Sequence, residues 1–81
     1  MFKHKTKDGK RNLCGSKIKE LRKKLPGRVS QRMIAEQMQL KGIDMDKTAI
    51  RRMENGERYV TDIELKALCE IFEISLNFLL E

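Results

Sequence analysis

The chain has 81 residues, of which 37% are charged and 40% hydrophobic, and a formal net charge of +6. That length holds one small domain and excludes a second core or a roomy cofactor cavity. Charge is unevenly placed: residues 1–41 carry 13 Lys/Arg against 3 Asp/Glu, and the remainder carries 5 against 9. One end therefore suits a polyanion and the other a protein partner or water, with a merely solvated basic surface as the alternative.

Residues 1–12 hold Lys3, Lys5, Lys7, Lys10 and Arg11 with little to bury, and read as a flexible basic arm ahead of a domain over 13–81. Cys14, Ile18, Leu21 and Leu25 recur at helical spacing, with Ser16 as a cap, and Pro26-Gly27 ends this first helix. Ser30 caps a second helix with Ile34, Ala35 and Met38 inward, closed by Gly42. Asp46 caps a third, Lys47 to Glu54, in which Ala49, Ile50 and Met53 face in, Lys47, Thr48, Arg51, Arg52 and Asn55 face out, and Asn55-Gly56 supplies the left-handed stop. Thr61 and Glu64 form a capping box for a fourth helix, to about Phe72, with Leu65, Leu68, Cys69 and Phe72 inward. Ser75 caps a short fifth helix over Leu76 to Leu80. No segment sustains period-two alternation, so the expected class is all-α.

No apolar run reaches the roughly 20 residues of a membrane span. Residues 1–7 lack the apolar core of a signal peptide, so a cytoplasmic protein with no membrane partner is expected. Cys14 and Cys69 have neither metal-ligand nor redox spacing. Buried reduced thiols are the expectation; a disulfide between them is the alternative and needs an oxidising compartment. Of the five methionines, Met33, Met38, Met45 and Met53 sit at or beside packing positions, which favours gap-filling over a cofactor box. Catalysis, metal ligation and cofactor binding have no candidate residues, because His4 is the single histidine and lies in the basic arm, and no phosphate loop or activated nucleophile is present.

Three stretches carry a resemblance: Ile-Lys-Glu-Leu-Arg from Ile18 to Arg22; Ser30-Gln31 followed by Ile34-Ala35; and Ile-Arg-Arg-Met-Glu-Asn-Gly from Ile50 to Gly56. With the run from Leu65 to Leu80, they make residues 15–80 resemble the Cro/phage-repressor-like (Xre) family of helix-turn-helix DNA-binding domains. The resemblance implies a five-helix, lambda-repressor-like fold whose second and third helices form the helix-turn-helix. It also implies a sequence-specific regulator of transcription, a repressor, bound as a dimer to a palindromic operator on double-stranded DNA. Base contacts fall to Lys47, Thr48, Arg51 and Arg52, by bidentate donation to guanine and methyl contact with thymine, although long cations at a groove also serve phosphates. Ser30, Gln31, Arg32, Asn55, Gly56 and Arg58 are assigned to the DNA backbone, Gln31 also to bracing the third helix, and Arg22 with Glu54 to a structural ion pair. Ile71, Leu76, Phe78 and Leu80 either form an apolar patch for a second copy or complete the core of a monomer.

The chain departs from the family pattern in a longer stretch between Ala35 and Ile50, a longer link over residues 23–29, and Glu73 where Gly is usual at the fourth helix's end. Two other readings stand beside the regulator: an antitoxin-like or adaptor module that binds protein through the same fold, and a non-specific nucleic-acid binder. The scarcity of aromatic residues counts against the latter, because single strands are usually stacked on rings.

Overall fold

The computed structural model describes residues 5–81, so the first four residues of the basic arm, His4 among them, lie outside it. Among the described residues there are five α-helices and no strand: α1 Gly15–Lys24, α2 Gln31–Leu40, α3 Lys47–Glu54, α4 Asp62–Phe72 and α5 Leu76–Leu80. None is long and apolar enough to cross a membrane.

Local chemistry accounts for four of the five starts. Ser30, Asp46, Thr61 and Ser75 each accept a hydrogen bond through the side-chain oxygen from the amide three residues on, which satisfies a donor that the first helical turn leaves open. In α4 the bond is reciprocated, since the Glu64 carboxylate accepts from the Thr61 amide at 2.9 Å. The start of α1 differs from expectation. Ser16 lies inside the first turn, and it is Asn12 whose side-chain oxygen accepts from the Gly15 amide at 2.8 Å. This helix also stops at Lys24, before Leu25, which precedes Pro26 and is pushed into an extended conformation (φ −67°, ψ 142°).

Ile18, Ile34, Met38, Ile50, Met53, Leu68 and Leu79 are fully buried and form the core with Cys14, Ala35, Met45 and Ala67. The inward stripe of α4 is rotated from the one the apolar spacing predicts: Glu64, Ala67 and Leu68 are buried, while Leu65, Cys69 and Phe72 lie half-buried at its margin. Capping holds Glu64 on the inner side, and small Ala67 lets the helix approach the core there. Met38, Met45 and Met53 fill the interior as expected, whereas Met33 is exposed and its sulfur accepts from the Ser30 amide. Both cysteines are free thiols, and burial pushes the Cys14 thiol up to about 11.

The longer stretch between α2 and α3 is held rather than loose. Gly42 takes a positive φ of 81°, the Ile43 amide donates to the Met38 carbonyl, the Gln39 side chain donates to the Met45 carbonyl at 3.0 Å, and the Met45 side chain is sunk in the core. At the end of α4, Glu73 adopts a left-handed conformation (φ 54°, ψ 48°), which crowds the Cβ of an L-residue. Glu73→Gly is therefore expected to raise the unfolding free energy by about 0.5–1 kcal/mol, after allowing for the extra freedom glycine brings to the unfolded chain. Paired thermal melts of the two proteins check this.

Candidate nucleic-acid interface

The third helix is built from one face outward. Ile50 and Met53 fix it to the core, and Glu54 brings a carboxylate into the interior, where its side chain is fully shielded from solvent. Such a charge is tolerable only when paired and hydrogen-bonded. Glu54 accepts from Arg22 Nε at 2.7 Å and Arg22 Nη2 at 3.0 Å in a bidentate fork, and from Gln31 Nε2 at 2.9 Å. A further Arg22 nitrogen donates to the Val29 carbonyl at 3.0 Å. The carboxylate raises the Arg22 pKa, against an opposing effect of burial. One buried acid thus joins α1, the start of α2 and the end of α3.

With that face locked, the other is fixed in direction. Lys47, Thr48, Arg51 and Arg52 are all exposed, and no hydrogen bond or ion pair within the described residues engages their side chains. Three cations and a hydroxyl on an eight-residue helix make a surface with strong donors and no internal use for them.

The other expected contact residues divide by what they touch. Ser30 and Arg32 are exposed at the start of α2, Arg32 in a loose solvent-facing pair with Glu36 at 3.4 Å, and Asn55 is exposed at the end of α3. Gln31 instead points its amide inward to Glu54. Gly56 is buried beneath the side chain of Lys10, and its own amide closes the helix by donating to the Met53 carbonyl. Arg58 is half-buried, with two guanidinium nitrogens 3.3 and 3.4 Å from Glu64 Oε2. These three are committed to partners within the domain.

At the C-terminal helix, Leu76, Phe78 and Leu80 are 47%, 41% and 38% exposed, while Ile71 packs half-buried against the core and Leu79 is fully buried. Lys17 ties α1 to this helix, with its ammonium 4.8 Å from the centre of the Phe78 ring and 2.7 Å from the Phe78 carbonyl.

Residues 10–12 pack against the end of α3 and the chain that follows it. The Lys10 ammonium donates to the Asn55 carbonyl at 3.0 Å, Arg11 donates through its amide to Gly56 and through its side chain to the Glu57 carbonyl, and Asn12 reaches the carbonyls of Met53 and Arg58. The basic composition of this segment pointed to a free arm; in the structure its last three residues are hydrogen-bonded to the end of α3. No group of three or more His, Cys, Asp or Glu side chains suited to a metal ion occurs among the described residues.

A family model described as helix-turn-helix matches residues 18–79, which takes in α2, α3 and the buried Arg22–Glu54 pair. Neither a curated protein nor a solved structure matches the chain.

Proposed function

This chain belongs to the Cro/C1-type, Xre-like helix-turn-helix family, a DNA-binding regulatory family and not an enzyme family, and on that premise we propose that it is a sequence-specific repressor of transcription. In this reading it works in the cytoplasm of a bacterium or phage host, as a homodimer on a palindromic operator. The observation that carries the proposal is the division of α3 into a locked inner face and an outer face of Lys47, Thr48, Arg51 and Arg52 whose side chains have no partner among the described residues.

Placed in the major groove, Arg51, Arg52 and Lys47 donate to guanine O6 and N7, and the Thr48 methyl meets thymine. Ser30, Arg32 and Asn55 line the backbone on either side, where exposed amides and cations at the start of α2 favour phosphate. Gln31, Gly56 and Arg58 serve the same surface indirectly, by holding the elements that present it. A two-fold axis through Leu76, Phe78 and Leu80 brings two copies together, with Ile71 at the margin, and sets the half-site centres about 10–10.5 base pairs apart.

The test is a competition titration at several salt concentrations, with random duplex and with the strongest site recovered from a randomised duplex library. The proposal expects one site to be preferred by a factor of about a thousand or more over random duplex. Weak binding that falls steeply with salt and is alike for every duplex would reject it in favour of an adaptor that uses this fold to meet protein.

A further inference from the structure

The side chain of Asn12 lies between three main-chain groups of different elements. Its oxygen accepts from the Gly15 amide at 2.8 Å, and its nitrogen donates to the Met53 carbonyl at 3.1 Å and the Arg58 carbonyl at 2.8 Å. One amide and two carbonyls are the set a carboxamide satisfies, with an acceptor on one side and two N–H donors on the other. An aspartate would face both carbonyls with lone pairs, and a serine hydroxyl is too short and has one proton. We infer that Asn12 is a positioning residue for DNA reading: it fixes the exit of α3 against the start of α1 and so sets the angle at which the outward face of α3 is presented.

Three further features converge on this point. Gly15 lies so close to α3 that a Cβ there would overlap the Met53 carbonyl oxygen and stand 2.8 Å from the Asn12 side-chain oxygen, so glycine is what lets the carboxamide reach the helix end. Lys10 covers Gly56 and places its ammonium on the Asn55 carbonyl, where a helix C-terminus favours positive charge. Through Arg58, whose carbonyl Asn12 holds and whose guanidinium meets Glu64, the same contact continues into the capping box of α4. The buried Arg22–Glu54 pair anchors α3 through its side chains; Asn12 anchors its last carbonyls and the chain that follows. A reading surface depends on such support, because a loss of registry well below the width of a base pair is enough to misplace a bidentate donor.

The inference rests on the proposed DNA-binding function, and its test separates the two. Asn12→Asp keeps the acceptor for Gly15 and reverses the contacts with the Met53 and Arg58 carbonyls; Asn12→Ser, which adds no charge, replaces it should the first fail to fold. Two readings are taken on each: amide hydrogen exchange at Gly56 and Glu57, relative to amides within α2, and the ratio of affinities for the preferred and random duplexes. The ratio cancels the uniform effect of an added negative charge. The expected result is faster exchange confined to the end of α3, with the preference reduced about tenfold or more while the protein stays folded. Unchanged exchange at Gly56 and Glu57, or a preference equal to the parent's in a folded variant, would overturn the inference. If the parent protein itself shows no preference, the proposed function fails, and the exchange measurement still decides whether Asn12 holds the end of α3.

Discussion

Glu54→Ala is expected to cost about 3 kcal/mol of unfolding free energy. In a domain of this size that lowers the melting temperature by more than about 10 °C. The reason is less the attraction lost than the groups left behind. The Arg22 side chain is only 13% exposed, and without the carboxylate two of its nitrogens and the Gln31 amide lose the acceptor at 2.7–3.0 Å that offsets their burial. The exposed Arg32–Glu36 pair is the natural control: Glu36→Ala removes a charge pair of the same kind in water and should change stability by less than about 0.5 kcal/mol. Circular dichroism melts of the two variants check the contrast. Equal, small shifts would show that the Arg22–Glu54 pair is no more than a surface contact.

Arg51→Ala should do the opposite, leaving the fold intact and weakening recognition. Arg51 is exposed, has no partner among the described residues, and its truncation leaves none of them buried and unsatisfied. If its guanidinium donates to a guanine, affinity for the preferred site falls by about 1–3 kcal/mol, and the preference at one base position is relaxed. If it meets a phosphate instead, every duplex is bound more weakly by the same factor and the slope of log affinity against log salt decreases by about one. Titrations of preferred, singly substituted and random duplexes at several salt concentrations distinguish these outcomes.

How much of this was legible in the sequence follows from the range of each interaction. Caps at Ser30, Asp46, Thr61 and Ser75 act over three residues, so their signature is printed in the local chain. The outward set on α3 is likewise a local pattern, since Ile50 and Met53 fix which side of the helix remains exposed. Arg22 and Glu54 lie 32 residues apart, and only the family resemblance brought them together before the structure did.

Asn12 could not be found this way. Its carbonyl partners are 41 and 46 residues distant, and within a run of lysine and arginine it reads as one more polar residue of an arm. The one local clue was the spacing of Asn12 to Gly15, the same three-residue step that marks the other caps, obscured by Ser16 as a nearer candidate. The resemblance gave Gln31 both a phosphate contact and a bracing role toward the third helix, and the bond to Glu54 is of the bracing kind; Arg58 was assigned to the DNA backbone alone, whereas its side chain is directed by Glu64. The long approach to α3 was the least readable segment, because a turn defined by the burial of Met45 and a bond from Gln39 has no periodic pattern.

The surface proposed to meet DNA is the exposed face of α3, flanked by the start of α2 and by Asn55. The most direct measurement is the mapping of backbone amide shifts in the labelled protein as its preferred duplex is added. The largest changes are expected on Ser30–Arg32, Lys47–Arg52 and Asn55, with the core of α4 little affected. Changes concentrated on Leu76, Phe78 and Leu80, with Lys47–Arg52 unmoved, would contradict it.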